Sequence, residues 1–187
     1  MKIRQAYPHE APLIAKVVTM AIGPEIIAEF AAPDHSPADV LNMFEALASM
    51  PDSQYSYLNT SVAVDDADTP MGLIVAYDGA LLHKLRRRFM ALAADMLGKD
   101  MRGMADETTP CEFYLDSLGV FEQYRGRGIA SALLMHGVEL AKTLGKPAAL
   151  LVEPTNVRAY RLYRKLGFVK VGETPFADTM MDHLRFM

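Results

Sequence analysis

Apolar residues recur along this chain with two different periods, and the alternation between those periods lays out an order of strands and helices. Residues 2 to 6 read as an opening strand. Pro8, His9 and Glu10 then lead into a helix whose Leu13, Ile14, Val17 and Val18 share one face. Pro24, Pro33 and Pro37 interrupt the next stretch, so Gly23 to Pro37 is expected as a mobile loop. Ser36 is placed to cap a second helix carrying Val40, Leu41, Phe44 and Leu47. Tyr57 to Val64 alternates as a half-buried strand does, Asp65 to Pro70 is turn-like, and Met71 to Tyr77 is a further strand. Together they predict an antiparallel hairpin.

The period returns to helical near 81–97, where Leu81, Leu85, Phe89, Leu92 and Met96 line one face and Lys84, Arg86, Arg87 and Arg88 cluster elsewhere as a solvated surface. Gly98 to Pro110 suits an exposed loop. A strand over 113–120, a helix from about Gly128 to Leu144, a buried strand Ala148 to Val152 and a helix Val157 to Leu166 come next. Strands near Phe168 to Val171 and Met180 to Phe186 close the order. The result is a mixed α/β chain with one parallel crossover, from strand 113–120 through a helix to strand 148–152.

Composition narrows the class. At 187 residues with 51% hydrophobic content, the chain is long and apolar enough for one domain with a sizeable core, taken as 1–187. No run approaches the roughly 18 apolar residues of a membrane span, and the opening MKIRQAYPHE lacks a secretory apolar centre, so a cytoplasmic location without membrane partners is expected. The single cysteine, Cys111, rules out an internal disulfide, and the five histidines form no metal-ligand spacing. No metal is therefore expected. A net charge of −4 argues against a nucleic-acid partner.

Candidate chemistry concentrates after residue 113. Gln123, Tyr124, Arg125, Gly126, Arg127, Gly128, Ile129 and Ala130 join an apolar strand to an amphipathic helix. The first turn of a helix carries unpaired N–H groups and partial positive charge. Glycines let such a backbone approach a phosphate, and Arg125 and Arg127 add charged donors. The same run also reads as a plain tight turn, or as a dinucleotide turn whose third glycine would fall at Ser131; the intervening Phe121 to Arg125 disfavours the latter.

Gln123, Gly126 and Gly128 match the fixed positions of the Q/R-x-x-G-x-G/A coenzyme A signature of the GNAT N-acetyltransferases. Asn156, Ala159, Tyr163, Gly167 and Phe168 resemble that superfamily's second segment, and the two stand in the family's order. The resemblance implies an acyl-CoA N-acyltransferase fold, a mixed sheet of about six to seven strands flanked by helices, with the 81–97 helix as an insertion. It implies acetyl-CoA as cosubstrate and a primary amine of a small molecule or protein as acceptor. A homodimer is compatible with the family, and a non-catalytic acyl-CoA sensor on the same fold is the alternative.

By the same resemblance, strands 113–120 and 148–152 splay around the pantetheine arm, with the backbone of Leu118 and Val120 pairing to it. Arg125, Gly126, Arg127, Gly128, Ile129 and Ala130 would enclose the pyrophosphate, and Asn156 would approach from the other wall. Tyr163 is the candidate acid for the departing thiolate, with Tyr160 a neighbour of the same type. Asp116 is the candidate base for the amine, with Glu112 the alternative at the strand's edge. The oxyanion donor is expected near Leu118 or Gly119, where the family's strand bulges and glycine eases the distortion. The acceptor side would be built from the first helices, the loop Gly23 to Ser36 and the C-terminal strands, with Met180, Met181 and Met187 as lining or dimer contacts.

Overall fold

In the computed structural model, which describes residues 1–177 and 179–187, one seven-stranded sheet runs through the molecule. Its strands are β1 (Lys2–Gln5), β2 (Thr60–Val64), β3 (Pro70–Asp78), β4 (Phe113–Val120), β5 (Ala148–Val152), β6 (Phe168–Phe176) and β7 (Thr179–Phe186), in the spatial order β1-β2-β3-β4-β5-β7-β6. Every neighbouring pair is antiparallel except β4 and β5. That parallel pair is bridged by the predicted crossover helix.

Helices α1 (Ala11–Ile22), α2 (Pro24–Ala31), α3 (Pro37–Ser49) and α4 (Leu82–Leu97) cover one face of the sheet. There Ile14, Val18, Val40, Phe44 and Phe89 pack on Val62, Val64, Leu73 and Val75. Helices α5 (Ile129–Thr143) and α6 (Val157–Leu166) cover the other face, and Leu133, Leu134 and Val138 meet Ile74, Leu115, Leu150 and Leu184. Adjacent strand residues thus feed opposite layers, as the two-residue period requires. No single helix among the described residues is long and apolar enough to cross a membrane.

Several boundaries differ from the sequence expectation. The proline-broken stretch is not a loop: Pro24 occupies the first turn of α2, where its missing N–H costs nothing, and Gly23 at φ +88° turns the chain between α1 and α2. Tyr57–Asn59 is a 3₁₀ turn rather than strand, so β2 begins at Thr60, and it is almost wholly buried because helices cover both of its faces. β6 extends to Phe176, well past Val171, and pairs with β7 along its length. Ser36 caps α3 as expected: its hydroxyl accepts from the Asp39 N–H at 3.3 Å, and the Asp39 carboxylate accepts the Ser36 N–H at 2.8 Å.

Candidate active site

β4 and β5 pair at only two positions, Phe113 with Ala148 and Tyr114 with Ala149, after which β4 continues to Val120 with no partner on that side. The backbone beyond the divergence points into the opening. Phe121 donates its N–H to the Met71 carbonyl on β3, so by strand alternation Gly119 also faces β3, while Leu118 and Val120 turn their N–H and C=O groups toward the splay. The Val120 carbonyl already accepts a 3.2 Å hydrogen bond from Arg125 Nε.

The glycine turn closes one end of this opening. Gly126 and Gly128 both stand at φ +79°, a left-handed conformation that disfavours any side chain, and a Cβ at either would meet nothing within 4 Å. Gly128 is the N-cap of α5, and no side chain caps that 15-residue helix. Its first N–H groups are therefore open to an anion, with the exposed Arg125 and Arg127 beside them. Across the opening, Asn156 caps α6, its Oδ1 accepting the Ala159 N–H at 3.1 Å. Its amide oxygen is thus committed to the helix end.

β4 bulges, but not where the resemblance led us to expect. The register slips between Val75 and Ala76, whose partners are Ser117 and Leu115, so Asp116 is the unpaired extra residue. The slip has a packing reason. Phe113 and Leu115 face the α5 layer, and Leu118 and Val120 face it too; without one extra residue, Leu118 would fall on the opposite face. Gly119 is regular, and its missing side chain serves α1: a Cβ there would lie 2.8 Å from Val17 Cγ1.

The bulge delivers Asp116 to a pocket of about 80 Å³ at the point of divergence, lined also by Tyr114, Ser117, Leu151, Glu107, Tyr55, Phe176, Met181 and the α1 residues Ala21 and Ile22. Of the expected acceptor wall, the C-terminal strands and the end of α1 take part; Met180 and Met187 are exposed. Asp116 accepts hydrogen bonds from Ser117 Oγ (2.7 Å) and Tyr77 Oη (3.1 Å). Burial raises its pKa from 3.8 to about 6 against those two bonds. Beside it, burial and the Asp116 charge raise Glu107 further, from 4.5 to about 8.

Two expectations change here. The segment Gly98 to Pro110 is not simply exposed, since Glu107 and Thr108 are buried. The basic stretch of α4 is not all solvated: Arg86 is 3% exposed, 2.9 Å from Asp106 and 3.5 Å from Glu107. The sequence does carry a signal for Arg86, because it lies four residues after Leu82 and three before Phe89, both buried. Glu107 has none, being in a segment without periodicity.

Glu112, the alternative base, has another occupation. It is fully buried and accepts from Arg185 Nε at 3.0 Å, with His183 Nε2 at 3.2 Å. Burial pushes its carboxyl up, but the His183 ring beside it and the bonds from the Arg185 guanidinium outweigh this and hold it at about 2. Tyr163 is half-buried in the α5–α6 layer, edge-on to Phe168 with ring centroids 6.0 Å apart, and burial raises its phenol. Asp116, hydrogen-bonded to Tyr77 beneath α4, lies on the other face of the sheet, and Tyr163 is not part of the lining of its pocket. Cys111 is exposed, and among the described residues no cluster of His, Cys, Asp or Glu could hold a metal ion.

Comparison with known proteins agrees with this architecture. Residues 26–168 match the model of the acetyltransferase (GNAT) family. A 65-residue stretch is 38% identical to the N-alpha-acetyltransferase RimI of Mycobacterium tuberculosis, covering 35% of this chain and 40% of that protein. Among solved structures, an N-acetyltransferase from Staphylococcus aureus Mu50 superposes with a TM-score of 0.81 at 25% identity, over 99% of this chain and 100% of that one. A further acetyltransferase gives a TM-score of 0.76 at 26% identity, over 100% and 98% of the respective chains.

Proposed function

Because this chain belongs to the GNAT acetyltransferase family, we propose that residues 1–187 form one domain that carries an acetyl group from acetyl-coenzyme A to a primary amine of a small molecule or protein. Both substrates bind together, and the amine attacks directly. The observation that carries this reading is the splay of β4 from β5, which ends at the uncapped start of α5. An exposed free thiol at Cys111 is in keeping with a cytoplasmic setting.

The open groups suit coenzyme A. The backbone N–H and C=O of Leu118 and the N–H of Val120, whose carbonyl holds Arg125, would hold the amides of the pantetheine arm as an added strand. Arg125, Gly126, Arg127, Gly128, Ile129 and Ala130 would hold the pyrophosphate, through N–H groups at the helix start and two guanidinium groups. Asn156 fixes the start of α6 and so the far wall. The bound cosubstrate supplies a thioester as acyl donor.

Asp116 takes a proton from the incoming ammonium at its carboxylate, so that nitrogen has a free lone pair. Its raised pKa suits a base that works near neutrality. Tyr163, from the opposite face of the splay, protonates the departing sulfur through its phenol and regains a proton from nitrogen through solvent. The net release is one proton per turnover.

The test is incubation with acetyl-coenzyme A and a panel of diamines, amino acids, aminoglycosides and peptide N-termini, following thiol release and acetylated product by mass. Silence across the panel together with no measurable coenzyme affinity would sink the proposal. Coenzyme binding without turnover would instead favour a sensor.

A further inference from the structure

One hydroxyl stands between a buried carboxyl and a half-buried one at the base of the pocket. Tyr77 Oη is 3.1 Å from Asp116 Oδ2 and 3.3 Å from Glu107 Oε2. A phenol has a single proton to give, and Tyr77 keeps it, since burial and the neighbouring carboxylates raise its pKa well above the ordinary value. If it donates to one carboxylate, its contact with the other is a hydrogen bond only when that carboxyl carries its own proton and donates to the phenol oxygen.

The surroundings decide which carboxyl is protonated. Asp116 accepts from Ser117 as well as Tyr77, which supports its ionised form. Glu107 is 3% exposed, and its only cationic neighbour among the described residues, Arg86, lies 3.5 Å away and is shared with Asp106 at 2.9 Å. The other groups facing the pair are the buried phenols of Tyr55 on the segment after α3 and Tyr114 on β4, both neutral, and the Gln54 amide, which forms no full hydrogen bond to either neighbour. Three carboxyls thus face one guanidinium, and a retained proton removes the worst repulsion.

Building on the acetyltransfer reading, we propose that Glu107 and Asp116 act as a one-proton pair. Glu107 holds the proton and donates to Tyr77, Tyr77 donates to Asp116, and Asp116 remains the carboxylate that accepts the proton of the incoming ammonium. Glu107 is a positioning residue: it acts through Tyr77 to keep Asp116 ionised and aimed at the pocket. When Asp116 accepts a proton the pair becomes neutral, and it returns to one proton by releasing the second to solvent as the amide product leaves. The pair titrates as a unit, with the upper step near 8.

Infrared difference titration of the wild-type protein reads the pair without any catalysis. A protonated-carboxyl carbonyl band present at pH 7 should disappear with a midpoint near 8, and Glu107→Gln should abolish it. Absence of the band in the wild type, or its survival in Glu107→Gln, overturns the proposal. In turnover, the Gln amide replaces the protonated acid as donor, so Glu107→Gln should keep kcat/KM at pH 7 within about threefold, whereas Glu107→Ala should lower kcat about tenfold or more with little change in KM. The ratio of Glu107→Gln to wild type, which cancels ionisation of the acceptor, should change across pH 7 to 9; a flat ratio overturns the pair. If no amine is acetylated, the acetyltransfer reading fails while the infrared band still tests the pair.

Discussion

Val17 on α1 occupies the space that a side chain on Gly119 would need: a Cβ at that glycine would stand 2.8 Å and 2.9 Å from the two Val17 methyls. α1 therefore packs against β4 at the strand that borders the splay. Gly119→Ala should destabilise the fold by about 1–3 kcal/mol through overpacking, measured by urea unfolding. Adding Val17→Ala should recover part of that loss. Additive losses in the double variant would contradict the contact.

Tyr163→Phe removes the proposed acid and leaves its ring packing on Phe168. Thiol release should slow by about a hundredfold, with the coenzyme KM within about twofold. An unchanged kcat would assign the leaving-group proton elsewhere.

Gly128 has open space around it but a left-handed backbone, so Gly128→Ala strains the chain without a clash. Coenzyme affinity should fall because the N–H groups opening α5 shift. Arg125→Ala and Arg127→Ala should each weaken binding about tenfold, and less at high salt. Calorimetric titration with coenzyme A checks all three.

Much of the fold is readable from residue patterns, and the failures have physical causes. The glycine turn, the parallel crossover and the Ser36 cap follow from local rules, because backbone chemistry decides them. α2 escapes such a reading because three prolines suggest disruption, although a proline at a first turn is compatible with a helix. The bulge falls at Asp116 and not at Gly119, since a glycine in a strand signals either distortion or close approach, and only the position of α1 tells them apart. Tyr77, Glu107 and Arg86 meet from β3, an aperiodic segment and α4, and no spacing along the chain records such a meeting.

The buried acids also set a pH dependence of stability. The folded-state pKa of Glu107 lies above its unfolded value of about 4.5, so the unfolded chain releases this proton first as pH rises. Its contribution is greatest below 4.5, declines as pH rises toward 8, and levels off above that. Glu107→Gln cannot ionise, so its Tm relative to wild type should climb by several degrees between pH 5 and 8.5. Calorimetric scans across that range read it directly.

Glu112 behaves in the opposite way. Its folded-state pKa of about 2 lies below the unfolded value, so its stabilisation is present above pH 4.5 and is lost as pH falls toward 2. Arg185→Met should cost a few kcal/mol, toward the lower end of the roughly 3–5 kcal/mol for breaking a buried pair, because His183 remains. Urea unfolding at pH 7 measures the loss.

The two-position contact between β4 and β5 means that the sheet is one object only in outline. Strands β1 to β4 form a continuous ladder, as do β5, β7 and β6, and between them the backbone is stitched at a seam shorter than any helical turn. In amide hydrogen exchange the two panels should open as separate cooperative units, each with its own protection. A ligand lying along the seam would supply the missing rungs and make the panels exchange as one.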